Sequence, residues 1–256
     1  MIRLAAVGDV HAGVDSAGRL RPRWHELADD ADAFLLAGDL TKGGEVGEAR
    51  VLADELSDLG LPVIAVLGNH DHQAGKPDDV SRVLGDAGVM VLEGETARLD
   101  VRGTSVGVVG AKGFAGGFEG AMATEFGEEE MKAFVRHTRQ RAEAIDRQLA
   151  LLEADIRVVL MHYSPVRDTL RGEPIEIFAF LGSYLLAEPC DRAGVDLVLH
   201  GHAHRGSPAG RTRGGVPVRN VAQPVIRRPY RVFALDPEPE PGSRLRDDRN
   251  DARAGV

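Results

Sequence analysis

Cysteine is almost absent from this sequence, and long apolar runs are missing altogether. Cys190 is the only cysteine among 256 residues, so no intrachain disulfide can form, which favours a reducing compartment. No apolar stretch approaches the ~20 residues that a membrane-spanning helix needs. The short apolar run at residues 2–7 carries no cleavage-site pattern of a signal peptide. These absences predict a cytoplasmic protein without a membrane anchor.

An excess of positive charge is also missing. The formal net charge is −9, which argues against nonspecific nucleic-acid binding by the whole surface. The charge does not exclude a small phosphate-bearing ligand, because bound divalent cations would reverse the local sign of the field. A length of 256 residues with 43% hydrophobic content predicts one large α/β domain and leaves the oligomeric state open.

Strand-like and helix-like segments alternate along the chain. Apolar runs predict strands at 2–7, 33–37, 63–67, 89–92, 96–101, 105–109, 156–161, 195–199, 216–221 and 230–235. Helical spacing predicts helices at 24–30, 45–59, 78–86 and 128–153. Residues 1–235 therefore form one predicted domain. Residues 236–256 begin Asp-Pro-Glu-Pro-Glu-Pro-Gly and hold almost nothing to bury, which predicts a disordered tail.

Five short motifs stand where predicted strands end. Asp9, Asp39 and Asn69 are 30 residues apart, about the length of one strand–helix–strand repeat. Since ligand groups in α/β sheets gather at the carboxyl ends of strands, these side chains are expected to lie side by side. In chain order the motifs are Asp9-Val10-His11, Gly38-Asp39, Gly68-Asn69-His70-Asp71, Met161-His162 and Gly201-His202-Ala203-His204.

The residue types in these motifs indicate a metal centre. Carboxylates, imidazoles and one amide oxygen form a mixed ligand set that suits Mn, Fe, Zn or Ni. One aspartate can bridge two ions ~3.5–4 Å apart, and such a pair lowers the pKa of a shared water to yield hydroxide and neutralises phosphoryl oxygens. A nearby histidine can protonate the leaving alkoxide. The motifs therefore predict a site that hydrolyses phosphate esters.

The ordered set resembles the motif series of the calcineurin-like metallophosphoesterase superfamily, over Asp9 to His204. The resemblance implies a four-layer α/β/β/α sandwich of two mixed sheets flanked by helices, whereas the alternation alone is also compatible with a single open sheet. It further implies that His70 is the catalytic acid. It implies one metal held by Asp9, His11, Asp39 and His204, and a second held by Asp39, Asn69, His162 and His202, with Asp39 bridging.

Departures from the family patterns narrow the expected subclass. The second motif continues Leu40-Thr41-Lys42-Gly43-Gly44, without the Asp-Arg pair of the protein serine/threonine phosphatases, and the third ends in Asp71 rather than glutamate. The chain after His204 is expected to be too short for the capping domain of the DNA-repair nucleases of the superfamily.

We expect a small phosphodiester as substrate and two divalent ions, with Mn favoured. Retained His70 suits a poor alkoxide leaving group. Alternatives are a phosphomonoesterase or a nuclease using the same site, and a metal-binding scaffold that has lost catalysis. The scaffold is disfavoured because neither His70 nor any ligand is missing.

Several residues near the motifs have alternative possible roles. Arg167 and Arg171, in the 164–188 connection, are candidate ligands for a substrate phosphate. The Gly/Phe loop at 112–118 either covers a ligand or tucks its phenylalanines into the core. Asp71 either orients His70 or caps a helix or faces solvent. His200 is expected to support the site rather than bind metal, and His72 to lie at the surface or line the site.

Overall fold

The computed structural model describes residues 1–237 and the backbone of residues 245–247. The strands are β1 (Ile2–Val7), β2 (Ala33–Ala37), β3 (Val63–Val66), β4 (Met90–Val91), β5 (Glu95–Val101), β6 (Thr104–Ala111), β7 (Gly117–Phe118), β8 (Ala121–Met122), β9 (Ile156–Met161), β10 (Leu197–His200), β11 (Ala209–Arg211), β12 (Pro217–Asn220), β13 (Arg231–Leu235) and β14 (Leu245–Asp247). The α-helices are α1 (Leu27–Asp30), α2 (Val46–Leu56), α3 (Pro77–Asp86), α4 (Glu129–Leu151), α5 (Phe178–Leu181), α6 (Ala187–Ala193) and α7 (Gln223–Ile226).

The larger strands form two six-stranded mixed sheets. The first has the order β14-β13-β1-β2-β3-β4, and the second has the order β11-β12-β10-β9-β6-β5. In the first sheet β1, β2, β3 and β4 run parallel, while β13 pairs antiparallel with β1. In the second sheet β6, β9, β10 and β12 run parallel, with β5 and β11 antiparallel at the edges.

The two sheets pack face to face, because their strands are apolar on both faces. In β1, Leu4 and Ala6 join the core between the sheets, whereas Ala5 and Val7 point to the outer helices. In β9, Val158 faces the core between the sheets and Val159 the other outer layer. The predicted four-layer sandwich is thus confirmed, and the single open sheet is wrong.

Each outer layer is formed by amphipathic helices. On the first sheet α2 buries Ala49, Leu52, Ala53 and Leu56, an apolar stripe at the helical spacing seen in the sequence. On the second sheet α4 buries Ala142, Ile145 and Leu149 in the same way. In the part of the chain described here, no helix combines the length and the apolar character needed to cross a membrane.

The predicted helix at 24–30 is shorter in the structure. A 3-10 turn at Arg21–Arg23 precedes it, and the α-helix begins only at Leu27. Trp24 is buried and packs edge-on against Phe34, with ring centroids 5.4 Å apart. The indole thus anchors the connection to the core before the helix begins.

The predicted tail at 236–256 falls mostly outside the described residues. Within it, Leu245–Asp247 forms the edge strand β14 and pairs antiparallel with β13, with Leu235 opposite Leu245. Disorder of the remaining residues stays a prediction, as does the domain boundary after residue 235.

Candidate metal centre

The loops that carry the five motifs meet at one edge of the sandwich. Parallel β1, β2 and β3 end just before Asp9, Asp39 and Asn69, and parallel β9 and β10 of the second sheet end just before His162 and His202. Backbone hydrogen bonds connect these loops. For example, the Asp9 amide donates to the Gly38 carbonyl oxygen at 2.9 Å. Both sheets therefore contribute side chains to a single site.

Four of the predicted ligands have an unusual backbone conformation. The φ angles of Asp9, His11, Asp39 and His202 are 58°, 47°, 49° and 69°, among seven non-glycine residues with positive φ in the described part of the chain. Side chains seldom adopt this left-handed region, where each costs of order 1–3 kcal/mol and persists only when surrounding contacts enforce it. Such strain is concentrated at functional sites, so the backbone marks the same residues as the motifs.

The first predicted ligand group is brought together as a cluster. One ligand atom from each of Asp9, His11, Asp39 and His204 lies within 4.8 Å of the others. His204 Nε2 is 2.8 Å from Asp9 Oδ1, and His11 Nε2 is 3.8 Å from Asp39 Oδ2. The carboxylates are buried, at 3% exposure for Asp9 and 1% for Asp39.

The second group shares Asp39 with the first. Asp39, His162 and His202 also offer ligand atoms within 4.8 Å of one another. The amide oxygen of Asn69 lies 3.0 Å from His162 Nε2, which adds the fourth predicted ligand to this group. The structure therefore places all seven predicted ligands around Asp39 or its neighbours, as two adjoining groups with one common carboxylate.

The protonation of His162 tests whether this group fits a cation. Its Nδ1 lies 2.9 Å from the Ala37 carbonyl oxygen, so Nδ1 carries the proton and donates it. Burial lowers the pKa of His162 to about 3, so the ring is neutral and Nε2 holds a free lone pair. That lone pair lies 3.0 Å from Asn69 Oδ1 and 3.3 Å from Asp39 Oδ1. Three acceptor atoms converge without a proton between them, which is the arrangement that a metal ion satisfies.

His202 is held in a comparable way through its other ring nitrogen. Its Nε2 faces the Phe180 carbonyl oxygen at 3.4 Å, which leaves Nδ1 available as the ligand atom. Burial lowers the pKa of His202 to about 3, and neighbouring His162 lowers it further in the same direction. A neutral imidazole is the form that binds a metal.

The Asp9 carboxylate experiences the opposite effect. Burial raises the pKa of Asp9 to about 6, and the nearby charge of Asp39 adds to the rise. The hydrogen bond from His204 counteracts it and in turn raises the pKa of His204. Two buried carboxylates facing neutral imidazoles form a negative site, which divalent cations would neutralise.

His70 stands at the solvent side of the two groups. Its Nδ1 donates to the Lys42 carbonyl oxygen at 2.8 Å, and its Nε2 lies 3.9 Å from Asp39 Oδ2. The side chain is 39% exposed, and its ring centroid is 4.6 Å from that of His11. Nε2 is therefore directed toward the site and can be reached by a ligand from solvent.

Asp71 does not contact the His70 ring, so the expectation that it orients His70 is wrong. Its carboxylate is fully buried and accepts hydrogen bonds from the Leu40, Thr41 and Gly68 amides at 2.7–3.1 Å, and from the Thr41 hydroxyl at 2.6 Å. Helix capping and solvent exposure are excluded as well. Asp71 instead ties the loop after β2, which carries Asp39 and Lys42, to the loop after β3.

His200 lies beneath the site. Its Nε2 is 2.8 Å from the Thr169 hydroxyl and its Nδ1 is 2.8 Å from the Gly201 carbonyl oxygen. Burial lowers the pKa of His200 to about 4. With both nitrogens engaged, His200 links the connection after β9 to the last motif.

Arg167 and Arg171 lie on the exposed surface of the 164–188 connection. The Arg171 side chain is 75% exposed and pairs with Asp168 at 2.7 Å. The Arg167 guanidinium lies 5.7 Å from the centre of the Phe178 ring. These contacts hold the two arginines along their own segment, and their role in substrate binding stays a prediction.

Sequence reasoning did not identify Tyr163 as a site residue, and it included Lys112 only as the first residue of the 112–118 loop. The Tyr163 ring lies 4.4 Å from that of His202, and Lys112 packs over the Tyr163 ring. Tyr163 directly follows a predicted ligand, which was the available signal, and Lys112 follows a predicted strand. In the Gly/Phe loop Phe118 is buried, and Phe114 packs against Phe134 and Tyr163. The loop therefore tucks its phenylalanines inward.

Comparison with known proteins agrees with this geometry. The model of the calcineurin-like phosphoesterase family matches residues 2–206. The match covers most of the chain and spans all five motifs. The chain belongs to the calcineurin-like phosphoesterase family, a family of dinuclear metal enzymes that hydrolyse phosphoric esters.

Individual relatives share the fold or part of the sequence. A protein of Synechococcus sp. (strain ATCC 27144), described as a probable cyclic nucleotide phosphodiesterase, is 31% identical over 94 residues. That alignment spans 33% of this chain and about a third, 35%, of the relative. The structure of the phosphopantetheinyl hydrolase from Mycobacterium tuberculosis superposes with a TM-score of 0.62 at 19% identity, covering 99% of this chain and 98% of that one. A "Putative 5'-Nucleotidase" from Staphylococcus aureus gives 0.58 at 20% identity, over 92% of this chain and 51% of that one.

Proposed function

We propose that this chain hydrolyses a small phosphodiester, with two divalent ions, Mn favoured, in the two ligand groups and His70 as the acid. The observation that carries the proposal is the convergence of the unprotonated His162 Nε2 with oxygens of Asn69 and Asp39. The single buried cysteine, Cys190, agrees with a cytoplasmic location.

The residues around the centre have separable tasks. When bound, the two ions supply a hydroxide nucleophile and neutralise the phosphoryl oxygens. The carbonyls of Ala37 and Phe180 hold His162 and His202 in the tautomers that present a lone pair to the site. The buried carboxylates of Asp9 and Asp39 supply the negative charge that attracts the ions. The protein thus fixes the ligand atoms before the substrate arrives.

His70 is suited to proton delivery. The hydrogen bond from Nδ1 to the Lys42 carbonyl fixes the ring, and Nε2 faces the site from the solvent side. A proton on Nε2 can pass to the ester oxygen that leaves as the P–O bond breaks, which restores a neutral leaving alcohol. This aid is most useful for alkoxides, the leaving groups of natural diesters. The Synechococcus relative, described as a probable cyclic nucleotide phosphodiesterase, supports the same substrate class.

Hydrolysis by metal-stripped protein reconstituted with Mn²⁺ tests the proposal. Bis-p-nitrophenyl phosphate is expected to be hydrolysed faster than p-nitrophenyl phosphate. The Asp39→Asn variant is expected to lose activity, because Asp39 belongs to both ligand groups. Asp58→Asn is a matched control, since Asp58 is an exposed aspartate with a φ of 57° and lies outside both groups.

The outcomes separate the alternatives. A preference for the monoester would assign a phosphomonoesterase to the same site. Cleavage of single- or double-stranded DNA with Mn²⁺ would assign a nuclease, and we expect none. Turnover of no ester by protein that holds two ions would contradict the proposal and favour a metal-binding scaffold. Repeating the assay with Fe²⁺, Zn²⁺ and Ni²⁺ tests the preference for Mn²⁺.

A further inference from the structure

A buried lysine lies beside the second ligand group without a partner for its charge. Lys112 follows β6 and is 7% exposed. Its Nζ lies 5.2 Å from the centre of the Phe114 ring and 5.5 Å from that of Tyr163. Within residues 1–237 the Lys112 ammonium has no hydrogen-bond acceptor and no carboxylate within 4.0 Å. Nζ is not among the fully buried atoms of these residues that lack a partner, so the largely buried side chain brings its charge to the edge of the interior, where an anion from solvent can reach it.

Glu93, the acid whose charge most affects the pKa of Lys112, is already paired with Arg141. Glu93, just after β4, forms an ion pair with Arg141 of α4, Nη1 to Oε1, at 2.9 Å. Burial lowers the pKa of Lys112, whereas the charge of Glu93 opposes that decrease. The aromatic faces attract the ammonium but donate no hydrogen-bond acceptor. The Lys112 charge thus remains available to an anion.

Unsatisfied polar atoms surround this lysine. Three buried side-chain atoms lack a hydrogen-bond partner among the described residues, and all three belong to its neighbours: His72 Nε2, Glu93 Oε2 and Arg141 Nε. The Gly94 amide donates to the Gly110 carbonyl and Arg141 pairs with Glu93, which brings Glu93 and Arg141 next to the end of β6, where Lys112 follows. The charges of Lys112 and Arg141 both lower the pKa of His72. Buried polar atoms are rarely left unpaired in native proteins. Two of these atoms, Arg141 Nε and His72 Nε2 in its protonated tautomer, can donate to an anion, whereas the Glu93 carboxylate oxygen can only accept. The two donors indicate a place where an anion completes the hydrogen bonds.

The cluster adjoins the metal centre but is displaced from it. The Lys112 carbonyl accepts hydrogen bonds from the amides of His162 and Tyr163 at 3.0 and 3.1 Å. The centre of the Tyr163 ring lies 4.4 Å from that of His202 and 5.5 Å from Lys112 Nζ. Lys112 therefore adjoins the ligand group through the Tyr163 ring.

We infer that the Lys112 ammonium, together with the unpaired Nε–H of Arg141, forms an anion subsite that binds a second acidic group of the substrate, a phosphate or a carboxylate, beside the phosphoryl group that is hydrolysed. The inference rests on the proposed function and makes it more specific, since the substrate would be a phosphoester with a further acid. His72, in the 3-10 turn that follows Asn69, has an Nε2 without a partner among the described residues and can donate from it to the same ligand.

Calorimetric titration of the Mn²⁺-loaded protein tests the subsite independently of turnover. Three probes are used. Inorganic phosphate carries one phosphoryl group, methylenediphosphonate carries two, and phosphonoacetate carries one phosphoryl group and one carboxylate. Lys112→Met is expected to weaken binding of at least one of the two diacids by about 10-fold, with phosphate affinity within about twofold of wild type. The diacid that loses affinity identifies the second group. Lys76→Met is the matched control, because Lys76 is exposed and pairs with Glu45 at 3.1 Å.

Two results would overturn the inference. If phosphate and both diacids lose affinity equally, Lys112 contacts the metal-bound phosphoryl group itself. If none of the three changes, the lysine binds no anion. Lys112→Gln, which keeps a polar end group, repeats the test should Lys112→Met unfold, and thermal melting of each variant establishes folding. A lack of esterase activity would contradict the proposed function but would leave these titrations valid.

Discussion

The Thr41 hydroxyl donates a hydrogen bond to the buried Asp71 carboxylate at 2.6 Å, and the Thr41 amide donates a second at 2.7 Å. The pair joins the loop after β2 to the loop after β3. Asp39, which both ligand groups share, lies two residues before Thr41. Lys42, whose carbonyl orients His70, follows it. One contact therefore positions both the shared ligand and the predicted acid.

Replacement of Asp71 by asparagine is expected to lower the free energy of unfolding by about 2–4 kcal/mol. The amide nitrogen would face donors instead of accepting from them, which leaves buried N–H groups unpaired. Thr41→Val, which removes only the hydroxyl, is expected to cost about 1–2 kcal/mol. Urea unfolding of the metal-free proteins measures both. Equal losses for the two variants would contradict the central role of the carboxylate.

Gly68 and Gly85 are expected to respond to alanine in opposite directions. A Cβ at Gly68 would overlap the Asp39 carboxylate and amide, so Gly68→Ala is expected to reduce metal binding and destabilise the fold. Gly85 lies in α3, with no atom within 4 Å of a Cβ built there. Gly85→Ala is therefore expected to stabilise the protein by about 0.5–1 kcal/mol. Thermal melting of both variants tests the contrast, and a tolerated Gly68→Ala would contradict the close approach.

The ligand set could be predicted because its signal is local. Each of Asp9, Asp39 and Asn69 follows an apolar run, and their 30-residue spacing matches the βαβ repeat that brings strand ends together. The positive φ angles of Asp9 and Asp39 are not visible in the sequence, although Gly8 and Gly38 beside them indicate sharp turns.

The remaining features depend on contacts distant in sequence. Strands buried on both faces are compatible with one sheet or two, so only the family resemblance indicated the sandwich. Asp71 bonds to residues 30 and 31 positions away, which no local pattern encodes. The neighbours of Lys112 come from the ends of β3 and β4 and from α4, and their proximity follows from the packing of the two sheets.

Metal stoichiometry is expected to distinguish the shared ligand from an unshared one. Asp39 belongs to both groups, whereas His204 belongs to one. Asp39→Ala is therefore expected to reduce the content from about two ions per chain toward none, and His204→Ala to about one. Elemental analysis after reconstitution with Mn²⁺ and gel filtration measures the content. An Asp39→Ala protein that keeps one ion at full occupancy would contradict the bridging role.

His72 is expected to make the metal-free protein sensitive to acid. Burial lowers the pKa of His72 in the folded state to about 4, below its ordinary value of 6.5. As the pH falls, His72 therefore takes up a proton in the unfolded chain before it does so in the folded protein. This favours the unfolded state, so the free energy of unfolding decreases as the pH falls below 6.5. Between pH 7 and pH 5 the loss is expected to be about 1–2 kcal/mol. Urea unfolding at both pH values, compared with His72→Gln, isolates this contribution. If the free energy of unfolding depends on pH in the same way in His72→Gln and in wild type, folding does not lower the pKa of His72.

The role of His70 as an acid is expected to depend on the leaving group. Nε2 faces the site while Nδ1 is held by the Lys42 carbonyl, so the ring can deliver a proton to the departing oxygen. p-Nitrophenolate leaves readily without a proton, whereas phenolate gains more from protonation. His70→Asn is therefore expected to lower kcat for diphenyl phosphate by about 10²–10⁴-fold and to affect bis-p-nitrophenyl phosphate less, with the metal content unchanged. His25→Asn is the matched control, because His25 is an exposed histidine outside the site. Equal losses for the two diesters would assign His70 to charge stabilisation at the phosphoryl group rather than to proton transfer.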